Sequence, residues 1–180
     1  MNILKEYIRE IVKDFINEQS LPRIPRLPTI PTATGGGAVP ESDTARINSA
    51  RVKFAETTIN LLNNYNSQLN QLVRTYSAYM SNPTVFRNVF IVSRNINGVV
   101  DQLIATLEND TDNWKRPPEN LPEIDSLEPN DSALRSVKDA TEWVKSNASP
   151  TDLQQKLSDT LSNLPEVINA LQAYMTHYQQ

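Results

Sequence analysis

A chain of 180 residues is long enough for one ordinary domain and an appendage, or at most for two small domains. With no cysteine and a single histidine, His177, it can hold no disulfide, thiolate metal site, cysteine nucleophile or histidine-pair metal motif, and four glycines leave little for strand-rich turns. A net charge of -4 argues against a general nucleic-acid binder.

Residues 2–18 repeat apolar side chains in pairs four apart: Ile3 and Leu4, Tyr7 and Ile8, Ile11 and Val12, Phe15 and Ile16. That spacing predicts an amphipathic helix, with Lys5, Glu6, Arg9, Glu10, Lys13 and Asp14 on its other side. The apolar face spans more than half the circumference, which suits a groove better than a flat surface. Charges interrupt the segment throughout, so it lacks the continuous apolar core of a signal peptide, and no apolar run approaches the length of a membrane span. A soluble protein is expected. The charged face carries both signs, which also speaks against a membrane-surface anchor.

Residues 21–41 are a different polymer. Leu-Pro-Arg, Ile-Pro-Arg, Leu-Pro-Thr and Ile-Pro-Thr follow one another from Leu21 to Thr32. Proline at every third position matches polyproline II, with three residues per turn. Leu21, Ile24, Leu27 and Ile30 then share one edge, the prolines a second, and Arg23, Arg26, Thr29 and Thr32 the third. At about 3.1 Å per residue the strap spans roughly 37 Å. A mere spacer has no need of an aliphatic edge, so the strap is expected to lie along a partner. Gly35-Gly36-Gly37 follows as a flexible joint; with no Gly-Lys-Ser/Thr after it, it is not a phosphate loop.

From Asp43 to about Ser81, Ile47, Ala50, Phe54, Leu61, Tyr65, Leu69, Leu72, Tyr76 and Met80 recur near a 3.5-residue spacing, with Thr57 and Thr58 in the gap. This predicts a helix of roughly 57 Å. Its other faces carry Asn60, Asn63, Asn64, Asn66, Gln68 and Asn70, an uncharged choice for a surface facing only solvent. Asn82-Pro83 reads as a stop and a restart. The next helix carries Phe86, Val89, Ser93, Ile96, Val100, Leu103 and Leu107 as a heptad seam to about Glu108, antiparallel to the first.

Residues 109–130 form an acidic, proline-rich connection in which Asp110, Asp112, Glu119, Glu123, Asp125 and Glu128 outweigh Lys115 and Arg116. Counted from Asp110 as a calcium loop, the sixth and twelfth positions hold Lys115 and Leu121 in place of glycine and glutamate, so these carboxylates are expected to be solvated and mobile. Asn130-Asp131 can cap a helix with Leu134, Val137, Thr141 and Val144 inside and Trp143 on its flank. Ser149-Pro150-Thr151-Asp152 starts a last helix carrying Leu153, Leu157, Leu161, Leu164, Ile168, Leu171, Met175 and Tyr178. Pro165 lies inside it and should kink it. The fold expected is all-α: an elongated antiparallel bundle of about four helices over 42–180, preceded by the strap and a detached helix over residues 1–20.

Chemistry is hard to place on this pattern. His177 lies eleven residues from the nearest carboxylate in sequence, Glu166, and Glu-x-x-His, the signature of di-metal bundles, is absent. Arg46, Arg51, Lys53 and Arg74 are dispersed along the long helix, and the tyrosines at 65, 76 and 79 fit core packing. No catalytic, cofactor-binding or metal-ligating residue is predicted.

The front segment, Leu4-Lys5-Glu6-Tyr7-Ile8-Arg9-Glu10-Ile11-Val12-Lys13-Asp14-Phe15-Ile16-Asn17-Glu18 with its Pro/Gly-rich linker, resembles the N-terminal targeting helices on virion proteins of tailed bacteriophages, especially T4-like phages. There a prohead protease cuts after glutamate in an Ile/Leu-x-Glu context, which Ile8-Arg9-Glu10 and Ile16-Asn17-Glu18 both match. It is also similar to the encapsulation peptides of bacterial microcompartment cargo. The resemblance covers about a tenth of the chain. The first likeness implies a structural or assembly component of a virion, docking on capsid, neck or tail subunits through Leu4, Tyr7, Ile8, Ile11, Val12 and Phe15, with Leu21, Ile24, Leu27 and Ile30 along the same partner. The second implies cargo or an adaptor in the cytoplasm, inside a protein shell. A third possibility is a self-associating coiled-coil scaffold, a homo-oligomer. No membrane or nucleic-acid partner and no cofactor is expected.

Overall fold

Four long helices follow in sequence in the computed structural model, which describes residues 22–31, 41–79, 83–110, 132–146 and 150–179. They are α1 (Glu41–Tyr79), α2 (Pro83–Asn109), α3 (Ser132–Ser146) and α4 (Pro150–Tyr178), and the described residues contain no strand. The all-α expectation holds. Proline sets two of the starts: Pro83 and Pro150 open α2 and α4, where a missing N–H and a fixed φ suit the first turn. Asp152 adds a negative charge near the positive end of the α4 dipole. Helix α4 continues through Pro165, whose exposed ring sits on the solvent side. The helix is therefore not split, although Leu161 loses one backbone donor.

Helix α1 packs on α2 and α4, and α3 packs on the same two, so the four close a ring. Polar cross-contacts give the directions. Arg51 near the start of α1 meets Asp110 at the end of α2, while Asn97 and Asp101 of α2 meet Thr141 and Lys138 of α3 in descending order. This is an up-down-up-down arrangement, with short connections from α1 to α2 and from α3 to α4 and a longer one between α2 and α3. The seams predicted from spacing fill the interior: Phe54, Tyr65 and Leu69 from α1; Val89, Ile96, Val100, Leu103 and Leu107 from α2; Leu134, Val137 and Val144 from α3; Leu153, Leu157, Leu164, Ile168 and Leu171 from α4. Leu62, Val167 and Tyr174 are buried as well, which spacing alone did not assign.

Polar seam positions are handled locally. Thr58, Thr141 and Thr160 are buried and turn their hydroxyls back onto the carbonyls of Phe54, Val137 and Lys156. This satisfies the hydroxyl without a distant partner. Ser93 Oγ and Asn95 Oδ1 are the exceptions, buried with no hydrogen-bond partner among the described residues.

The strap differs from expectation. Ile24, Leu27 and Ile30 were assigned to a partner surface, but they cover the chain's own bundle. Leu27 is 9% exposed within the main core cluster, Ile30 packs on that cluster, and Ile24 lies against Gly98. Arg23, Arg26 and Thr29 remain exposed. The three-residue period was read correctly; its occupant was not. An aliphatic edge on a proline-rich strand gains as much from its own bundle as from a partner, and α2 presents a matching surface.

Candidate functional site

Three α2 side positions hold the strap, and they are spaced four apart: Arg94, Gly98 and Gln102. Arg94 Nη1 donates to the Pro22 carbonyl at 3.1 Å. At Gly98 a Cβ would stand 2.6 Å from Cδ1 and 2.8 Å from Cγ2 of Ile24, so only glycine lets the strap approach this closely. Gln102 grips both sides of Arg26. Its Oε1 accepts from the Leu27 N–H at 3.0 Å, and its Nε2 donates to the Pro25 carbonyl at 2.9 Å and to the Gly98 carbonyl at 3.0 Å. A primary amide offers one acceptor and one donor group side by side, as a neighbouring strand would. The Leu27 N–H can only donate and the Pro25 carbonyl can only accept, which fixes the amide's orientation.

The lengths agree. Four residues of polyproline II rise about 12 Å, and so do eight residues of α-helix. Hence Pro22 meets Arg94, Ile24 meets Gly98, and residues 25–27 meet Gln102. The strap runs parallel to α2, two of its residues for every four of the helix.

A second polar fixture closes the end of the bundle where α1 starts and where α2 and α4 finish. Arg51 Nη2 and Nε donate to Asp110 Oδ1 and Oδ2 at 2.7 and 2.9 Å, a bidentate pair with side chains only 7% and 9% exposed. Arg51 Nη1 also donates to Asn48 Oδ1 at 3.0 Å, and its guanidinium lies 4.8 Å from the ring centre of Tyr178. The Tyr174 hydroxyl donates to Asp110 Oδ2 at 3.0 Å. The Tyr174 and Tyr178 rings meet edge to face at 4.9 Å, and His177 meets Tyr178 at 4.7 Å.

Burial, and then the charge of Asp110, push the Tyr174 phenol far above its ordinary range. Burial raises Tyr178 as well, with Asp110 adding to it and Arg51 opposing. For Arg51, burial works against the charge, but the hydrogen bond and the charge of Asp110 outweigh it and the pKa rises. Arg51 is therefore held as a cation, and Tyr174 and Tyr178 as neutral phenols. Such an arrangement locks geometry; it does not poise a proton for transfer.

Asp110 therefore corrects the reading of the acidic connection, which took all its carboxylates as solvated. Arg51, one of the cations dispersed along the long helix, is buried. It occupies a core-facing position one turn beyond Ile47 and one before Phe54 and Ala55, and a buried arginine requires a carboxylate. That phase was the available signal. A glycine in the middle of α2, where no turn is needed, was the corresponding signal for the strap.

The remaining predicted docking residues, Leu4, Tyr7, Ile8, Ile11, Val12, Phe15 and Leu21, lie outside the described residues, as do Gly35–Gly37 and the acidic stretch beyond Asp110. Among the described residues no cluster of three His, Cys, Asp or Glu could hold a metal ion, and no helix is long and apolar enough to cross a membrane. Comparison with protein-family models, curated proteins and solved structures finds no match.

Proposed function

We propose that the chain is a non-enzymatic structural or assembly protein, a virion component of a tailed bacteriophage, which docks on partner subunits through the amphipathic helix of residues 1–20. One observation carries the reading. The strap is moored to α2 through Gly98 and Gln102, so its first described residue, Pro22, is held at a fixed point beside Arg94. A mooring of that kind turns a four-helix body into a rigid base for a presented element. It limits the volume that the element explores and raises its effective concentration at a second contact in a multi-copy assembly.

The apolar face of Leu4, Tyr7, Ile8, Ile11, Val12 and Phe15 would enter a partner groove and contribute several kcal/mol at about 25 cal/mol per Å², before ordering costs. The rival coiled-coil scaffold is less well supported, because the heptad seams it would use are filled within one chain. Replacing Ile8 and Ile11 together by aspartate tests the proposal. The variant should keep the parent's four-helix fold yet be missing from purified native assemblies. Incorporation at the parent's stoichiometry refutes it.

A further inference from the structure

Upstream of the strap's seat the surface continues as an open groove between α1 and α2. It is lined by Gln68, Gln71, Leu72, Asn88, Ile91 and Val92, with a volume of about 480 Å³. Ile91 precedes Gly98 by seven residues and so shares its face of α2. The groove is therefore in line with the strap. Its α1 wall has an unusual composition. From Thr57 to Val73 no Asp, Glu, Lys, Arg or His occurs, although Asn60, Asn63, Asn64, Ser67, Gln68, Asn70 and Gln71 are all exposed. A solvent-facing helix ordinarily carries charge on that side. A wall of amides and aliphatics can instead be covered without desolvating an ion.

We propose that this groove is the seat of the chain's own N-terminal segment in the unassembled protein, taking Leu21 first and then the C-terminal half of the amphipathic helix, Ile11, Val12, Phe15 and Ile16. The strap's register identifies the occupant. One polyproline II turn of about 9 Å corresponds to about six helical residues. Continued at the same period, the aliphatic edge would put Leu21 one such turn before Ile24, at the level of Val92, six residues before Gly98. The chain would then arrive at the mouth of the groove with its aliphatic edge turned inward.

Beyond Val92, α2 extends nine residues to Pro83, about 14 Å, and accommodates a helical segment of about nine residues. This matches residues 10–18, whose apolar pairs are Ile11 with Val12 and Phe15 with Ile16. Coverage in cis hides the face that docks on a partner, so a partner must displace the helix from the groove. The inference rests on the reading of residues 1–20 as the docking element.

The absence of native cysteine permits a direct test on the full chain. Spin labels are placed at Asn17→Cys and at Ser67→Cys, an exposed α1 position beside the groove, and the distance distribution is measured on the monomer. A single narrow peak is expected, and it should be lost in Phe15→Asp and in Ile91→Lys. Phe15→Asp alters none of the four helices, so this arm stands even if Ile91→Lys unfolds. A broad distribution in the parent, or a narrow peak that survives Phe15→Asp, overturns the proposal. So does a peak that appears only between singly labelled chains mixed together, which would seat a second copy. The co-assembly experiment reads the partner contact and this one reads the free chain, so either can fail alone.

Discussion

Alanine at Gly98 should change the sign of its effect with the state of the strap. In an ordinary helix interior Gly→Ala stabilises by about 1 kcal/mol, through the lost freedom of glycine in the unfolded chain. Here the added methyl would lie 2.6, 2.8 and 3.2 Å from three carbons of Ile24, inside contact distance for all of them. Ile24 is β-branched and cannot clear all three by turning about one bond. The strap must lift, which strains the Gln102 bonds to Pro25 and Leu27, and overpacking of this kind costs about 1–3 kcal/mol. The two terms leave Gly98→Ala destabilising by about 1 kcal/mol in the parent. With Ile24→Ala in place the obstruction is gone, and the same substitution should stabilise by about 1 kcal/mol. Urea unfolding of the four proteins of the cycle measures the difference, a coupling of about 2 kcal/mol. If Gly98→Ala stabilises equally in both backgrounds, the strap does not sit against α2, and the mooring fails with it.

Three further outcomes follow from the buried polar groups. Asp110→Asn turns one of two acceptors into a donor facing the Arg51 guanidinium, and should destabilise by about 3 kcal/mol, the usual loss when one partner of a buried pair is removed; chemical denaturation showing under 1 kcal/mol would mean that water replaces the carboxylate freely. Ser93→Ala should stabilise by about 1 kcal/mol in the same assay, because the buried hydroxyl makes no hydrogen bond. Stability should also fall above about pH 10. Tyr174 has its folded pKa raised, so the unfolded chain ionises first; the contribution is complete below the unfolded value and is lost as pH rises toward the folded one. The expected loss is about 1.4 kcal/mol per pH unit for this residue, and Tyr174→Phe should flatten that slope in alkaline melts.

Most of the bundle was legible because its signals are local. A 3.5-residue recurrence and the helix-starting Pro83 placed α1 and α2 to within about two residues at each end. What escaped were pairings across long separations. Asp110 sits among prolines and carboxylates that all read as solvated, and nothing near it in sequence mentions Arg51, 59 residues earlier. Gly98 and Gln102 lie off the heptad seam and read as the solvent side of α2, because a wheel shows where the core is and not what else covers a helix. For the strap, the period disclosed an aliphatic edge that had to be covered. It did not say whether the cover belonged to this chain.

The repeat that makes the strap recognisable also makes its placement ambiguous. Sliding Leu-Pro-Arg-Ile-Pro-Arg-Leu-Pro-Thr-Ile-Pro-Thr by three residues returns proline to proline and aliphatic to aliphatic. The Gln102 bonds do not resist such a slip, since they engage only a proline carbonyl and the N–H two residues on, and Pro22 with Ile24 or Pro28 with Ile30 offers the same pair. Register must therefore come from shape. A three-residue shift would put leucine against Gly98, where the branched, short Ile24 fits at contact distance, and isoleucine into the core position that Leu27 fills. Leucine and isoleucine differ in where they branch, which matters most where packing is tight. The alternation of the two along the strap thus selects between registers that composition leaves equivalent, and in doing so it fixes where Pro22 stands relative to the groove between α1 and α2.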